Sequence, residues 1–165
     1  MKKLLLGVAV IGALVAGAAQ AQVPADRSVV YRKAGFQMMS NHFGRINTHI
    51  KGERNLTPAQ LELSAQVVDD MAKVIYDGFI EGTEQSKGNR AKPEIWKEWA
   101  KFKEAQTRLQ GETPKLLAAA KSGDRAALQA AFGGVGGACK NCHDAYQAKE
   151  VIQTIAWATE HLQKK

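Results

Sequence analysis

Near the C-terminal end the chain reads Cys139-Lys140-Asn141-Cys142-His143. Two thiols three residues apart, with a histidine adjoining the second, have the types and spacing that attach a haem: each sulfur can form a thioether with one vinyl group, and the imidazole can take an axial position on the iron. Residues three and four apart share a helix face, so on a helix Cys139, Cys142 and His143 converge on one edge of a porphyrin. Other chemistries fit less well. A structural zinc site takes four protein ligands, and beyond these residues the chain offers only His42, His49 and His161 and no further cysteine. A thioredoxin-like dithiol opens a helix beside a strand-helix-strand unit, and nothing around this stretch alternates as a strand does. A disulfide between positions three apart on a helix strains the bridge and leaves the histidine unexplained. Covalent haem c, held by Cys139 and Cys142 with His143 on the iron, is the reading the motif supports.

Helices must position this motif. From Ala25 to Lys51, Val29, Phe36, Phe43 and Ile50 recur at seven, with Met39 and Ile46 on the complementary seam. Arg32 falls on that seam seven before Met39, where an apolar residue is due. A buried guanidinium calls for an anionic partner, and a haem propionate answers that better than snorkelling toward water. Thr57-Pro58-Ala59-Gln60 announces a second helix with a capping-box pattern, and its stripe of Leu61, Ala65, Val68, Ala72 and Ile75 carries it to about Tyr76. Asp77 to Lys92 holds glycines and mixed charge without period and reads as a surface connection, long enough to be functional, with Thr83 and Glu84 in it.

Pro93 starts a third helix through Trp96, Trp99, Phe102, Gln106 and Leu109. Gly111 and Pro114 interrupt the pattern before Leu116, Leu117 and Ala120 resume it, which predicts either a kink near Gly111 to Thr113 or two consecutive helices. Ser122-Gly123-Asp124 makes a turn and an N-cap. The fourth helix then runs through Ala127, Leu128, Ala131, Phe132 and Val135 into the haem motif. Gly133, Gly134, Gly136 and Gly137 disfavour a helix by about 1 kcal/mol each relative to alanine, and letting a flat macrocycle approach the backbone is their expected use. Past His143, an apolar edge from Ala148 to Leu162 predicts a C-terminal helical extension. The fold class is all-α: an antiparallel four-helix bundle.

At the other end, Met1-Lys2-Lys3, an apolar run from Leu4 to Ala18 and Ala19-Gln20-Ala21 have the three parts of an export signal, so residues 1–21 are expected to be cleaved and residues 22–165 to form one domain beginning at Gln22. The apolar run is shorter than the ~20 residues of a spanning helix, and no stable membrane association is expected. Of the formal +7 charge, Lys2 and Lys3 leave with the signal. The remaining excess is scattered, without base-stacking motifs, and suits solubility or the steering of acidic partners better than nucleic acid.

A C-terminal Cys-x-x-Cys-His on the last helix of an exported four-helix chain resembles cytochrome c′, the class II c-type cytochromes. The likeness is dense across Tyr31-Arg32-Lys33, Ser40 to Arg45, Gly82-Thr83-Glu84, Lys92 to Trp96 and Val135 to Tyr146, and it covers nearly all of Pro24 to Lys149. The resemblance implies a periplasmic homodimer of bundles with one haem c per subunit and His143 as proximal ligand. It implies that Arg32 binds a propionate, that Lys33 stands where glutamine is usual, and that Thr83 and Glu84 belong to the haem surroundings. It also implies that Phe36 occupies the distal position, where a bulky apolar residue restricts the sixth site and leaves five-coordinate, high-spin iron open to nitric oxide or carbon monoxide. Gln147 departs from the pattern: many relatives carry there an arginine on the proximal face.

The expected function is therefore capture of small gases, chiefly nitric oxide. An electron carrier cycling Fe(III) and Fe(II) with periplasmic redox partners is the alternative, and it would draw a sixth ligand from Met39 or His42. No enzymatic activity is expected, because the sequence offers no distal acid-base pair.

Overall fold

The structure, a computed structural model, describes residues 24–84, 86 and 88–149. The expected export signal and the expected extension from Glu150 onward lie outside the described residues.

Helix α1 spans Ala25–Ile50 and buries Arg32, Met39 and Ile46 of the complementary seam together with Val29, while Phe36, Phe43 and Ile50 of Val29's stripe are half-buried. Helix α2, Pro58–Val74, starts at the capping box: Gln60 N–H donates to Thr57 Oγ1 at 3.3 Å, and Thr57 N–H to Gln60 Oε1 at 3.1 Å. These bonds occupy amides that the first turn of a helix cannot pair internally. After a 3₁₀ turn, Ile75–Gly78, and an irregular segment come the short α3, Glu94–Lys97, then α4, Trp99–Ser122, and α5, Arg125–Tyr146. The α4–α5 corner takes only two residues. Gly123 ends α4 in the left-handed region (φ +70°), and Asp124 accepts the Ala126 and Ala127 amides at 2.8 and 3.1 Å.

The long helices pack in the order α1, α2, α4, α5, and α5 returns to α1 to close the bundle. Short α1–α2 and α4–α5 connections make those neighbours antiparallel. The all-α four-helix expectation holds. Phe43 of α1 stacks on Phe132 of α5, ring centroids 4.0 Å apart, and Leu61, Val68, Phe102, Leu109, Leu116, Leu128 and Val135 fill the interior.

Four local expectations give way. Of the two alternatives at Gly111 to Pro114, two consecutive helices give way, for α4 runs through the segment with Pro114 inside it. Proline costs a helix interior its amide bond, ~3 kcal/mol, but packing offsets that here. Leu109, Thr113 and Leu116 are buried on the α2 side, Gln110 Nε2 donates to Ala72 O at 3.0 Å, and Thr113 Oγ1 donates to Asp69 Oδ1 at 2.7 Å.

The third helix does not run unbroken from Pro93. It breaks at Glu98 (φ −117°, ψ 39°), and Trp99 is 41% exposed; the buried stripe is Ile95, Phe102, Ala105 and Leu109. The connection from Asp77 to Lys92 is not wholly a surface loop either, because Phe79 and Thr83 are buried in it. Lastly, α5 stops at Tyr146, and Gln147 pairs instead with Ala91 in an isolated antiparallel bridge.

Candidate cofactor site

A cavity of about 500 Å³ opens between α1, α5 and the connection after α2, within the roughly 300–1,000 Å³ usual for cofactor and ligand sites. Cys139, Cys142 and His143 all line it, the two cysteines half-buried and His143 more exposed, while Lys140 and Asn141 between them face solvent. The helical spacing of the motif thus produces the convergence expected of it. Burial pushes both thiols up: Cys139 rises, and Cys142 reaches about 11 with further help from Cys139 beside it. His143 moves the other way, lowered first by burial and then by the nearby Arg90, with Asp144 opposing. The motif is therefore a pair of neutral thiols and a neutral imidazole, the form of histidine that ligates a metal.

Arg32 is 3% exposed, and its head group also lines the cavity. Its close protein partners are neutral oxygens. Nη1 donates to Gly78 O at 2.6 Å and to Thr83 Oγ1 at 2.9 Å, and Nη2 donates to Asn89 Oδ1 at 2.7 Å. The guanidinium carbon lies 4.6 Å from the centroid of the Phe79 ring and 5.8 Å from that of Trp96. Gly78 permits this approach, since a Cβ there would stand 3.0 Å from both Arg32 Cβ and Ser28 O. Burial lowers the Arg32 pKa. Among the described residues no carboxylate forms an ion pair with it.

Phe36 stands across the cavity from the motif. Its ring meets those of Tyr76, Phe79 and His143 edge-on at centroid distances of 6.4, 6.3 and 6.4 Å. Lys33 lies at the rim, with Nζ 3.4 Å from Gly88 O. Thr83 and Glu84 do not line the cavity. Thr83 is fully buried and acts on the site through Arg32 while donating to Ile80 O at 2.7 Å. Glu84 contributes its carbonyl to Asn89 Nδ2 at 2.8 Å, and its buried Oε2 has no hydrogen-bond partner. Of the four glycines before the motif only Gly136 reaches the cavity wall; Gly134 instead makes room for α4, where a Cβ would come within 2.5 Å of Glu112 Oε2.

Sequence reasoning missed several residues of the site: Tyr76, Phe79, Asn89, Arg90 and Tyr146. The aromatic ones were available as bulky residues flanking a glycine-rich connection and the motif. Asn89 and Arg90 carry no periodic signal at all.

The donors suit a haem. An apolar cavity is walled by rings and aliphatic side chains, two thiols and a neutral imidazole enter it from one helix face, and an unneutralised buried cation adjoins it where a carboxylate of the cofactor would be welcome.

Known proteins agree with this geometry. The family model described as Cytochrome C' matches residues 27–147. Cytochrome c′ of Alcaligenes xylosoxydans xylosoxydans is 41% identical over 76% of this chain and 96% of its own length, and that of Rubrivivax gelatinosus is 36% identical over 79% and 100%. The crystal structure of the Rubrivivax gelatinosus protein superposes with a TM-score of 0.71 at 34% identity, covering 74% of this chain and 96% of that one. A nitric oxide complex of a mutant cytochrome c prime from Alcaligenes xylosoxidans gives 0.70 at 39% identity, covering 76% and 97%. With a family model spanning most of its length and relatives covered almost end to end, this chain belongs to the cytochrome c′ family.

Proposed function

We propose that the protein is a periplasmic haem c protein that binds small gases, chiefly nitric oxide. Cys139 and Cys142 hold one haem per subunit through thioethers, and His143 is the proximal ligand of a five-coordinate, high-spin iron. When bound, the haem supplies an iron that can take up a diatomic ligand. The rest is the work of this chain's side chains. Arg32, held at three neutral oxygens, pairs with a propionate, and Lys33 adds a second cation at the rim. Phe36 offers a ring that cannot coordinate and excludes water by its bulk. The protein binds rather than turns over and acts as a homodimer. The leader-like residues 1–21 support export, and nitric oxide complexes of similar proteins support the choice of gas.

The observation that carries this reading is the opposition of Phe36 and His143 across one cavity, 6.4 Å between centroids. The electron-carrier reading draws on Met39, which lines the same cavity at 6% exposure, as a sixth ligand, and it loses His42, which does not line it. Absorption spectra of the purified protein, ferric and ferrous, with and without nitric oxide, separate the two. High-spin bands that change on gas addition are expected, and a low-spin, thioether-ligated spectrum insensitive to nitric oxide would overturn the proposal. Acid extraction into organic solvent should leave the colour on the polypeptide.

A further inference from the structure

α5 carries no cation facing the cavity beyond its motif: the residue one turn past His143 is the neutral Gln147, and it lines the cavity wall. The segment paired with it does carry one. Residues 90–92 run antiparallel to 146–148, with Lys92 N–H donating to Tyr146 O at 2.9 Å, Ala148 N–H donating to Arg90 O at 2.8 Å, and Ala91 bridged to Gln147. Lys92 Nζ adds bonds to the Asp144 and Ala145 carbonyls at 3.2 and 3.1 Å, tying the same segment to the last turn of α5. From the other side, Asn89 fixes the segment to the Arg32 cage, its Oδ1 receiving both Arg32 Nη2 and Ala91 N–H. Arg90 therefore hangs between two anchored points. It lines the cavity while remaining exposed, so it stands at the mouth on the His143 side.

We propose that Arg90, delivered by the connection and not by α5, is the cation of the His143 face, and that its charge raises the reduction potential of the iron bound there. A positive charge beside an iron centre disfavours the ferric state more than the ferrous one, because the ferric state carries one more positive charge. The effect weakens with distance and with solvent screening, so it is read against a distant surface charge as control. The backbone pairing gives Arg90 a fixed stance that a free surface arginine lacks. The proposal rests on His143 being the proximal ligand of a covalent haem.

The test is a redox titration of the holoprotein, with dithionite as electron donor, comparing wild type, Arg90→Gln, Arg90→Lys, the double variant Arg90→Gln with Gln147→Arg, and Lys121→Gln. Lys121 lies near the α4–α5 corner, at the opposite end of α5 from His143, and serves as the control for a change of net charge. The potential should fall in Arg90→Gln, stay near wild type in Arg90→Lys, recover in the double variant, and hold steady in Lys121→Gln. An unchanged or raised potential in Arg90→Gln overturns the proposal, as does an equal fall in Lys121→Gln. Should Arg90→Gln lose its haem, a fallen potential in the double variant that Arg90→Lys does not share counts against the proposal, and a wild-type potential there supports it. Wild-type protein whose colour extracts into acid solvent would instead overturn the haem attachment beneath it, a separate failure seen before any titration begins.

Discussion

Arg32 Nη2 donates to Asn89 Oδ1 at 2.7 Å, joining the buried face of α1 to a segment without regular structure. The same amide closes that segment on itself: Oδ1 accepts Ala91 N–H at 2.9 Å, while Nδ2 donates to Glu84 O at 2.8 Å and Ala91 O at 3.1 Å. One side chain thus positions the cation and folds the loop around it.

Asn89→Ala should therefore destabilise the protein by about 2–4 kcal/mol, since it leaves a buried charged donor and two carbonyls without partners. Guanidinium unfolding of the holoprotein measures it. A change within about 0.5 kcal/mol, the range of an ordinary surface substitution, would show that the cage holds without Asn89.

Arg32 was legible in the sequence because it breaks a heptad: a charge where Met39 and Ile46 set an apolar seam must be explained by whatever it touches. Cys139, Cys142 and His143 were legible because their chemistry and their helical spacing coincide. Asn89 and Arg90 were not, since they act through loop geometry and backbone pairing with residues about 57 positions away, which no local period records. Phe79 was read as part of a surface connection for the same reason, although the Arg32 head group sits over its ring. At Gly111 and Pro114 the alternative of two helices failed the other way: local propensity was read correctly, and tertiary contacts kept α4 continuous.

Those tertiary contacts make the second prediction. Thr113 is fully buried and donates to Asp69 Oδ1, whose other oxygen takes the Lys73 ammonium. Thr113→Val keeps the volume and removes the donor, leaving one oxygen of a buried carboxylate unpaired. A loss of roughly 1–3 kcal/mol is expected. Thr107→Val, on the exposed face of the same helix, should cost far less, and equal losses in the two variants would assign the effect to helix propensity alone.

The third concerns pH. His42 has its pKa lowered by burial and then by the adjacent Arg45 cation, and its buried Nδ1 has no hydrogen-bond partner. The folded protein therefore resists protonation at His42 more than the unfolded chain does. Stability from this group is complete above its ordinary pKa of about 6.5 and is lost as pH falls from there through the lowered folded value. Urea midpoints recorded between pH 7.5 and 5 should drop for the wild type and drop less for His42→Gln. Parallel curves would remove His42 from the acid response.

The last prediction concerns Phe36, which is packed edge-on by Tyr76 and Phe79 and faces the His143 ring. A phenyl ring in a cavity wall can serve either as core or as a gate, and the two roles separate under truncation. If the ring restricts the site opposite His143, a ligand such as carbon monoxide enters only when the ring turns aside, and close packing on two aromatic neighbours makes that turn slow. Phe36→Ala should then speed carbon monoxide binding to the ferrous protein by an order of magnitude or more. Phe36→Met, with a sulfur that can reach a metal, should convert the iron toward low spin. If Phe36 were only core, Phe36→Ala would lower stability by about 3–5 kcal/mol and leave the binding rate where it was. Stopped-flow mixing with carbon monoxide, paired with unfolding of the same variant, decides between the roles, because the gate changes the rate constant and the core changes only the unfolding free energy.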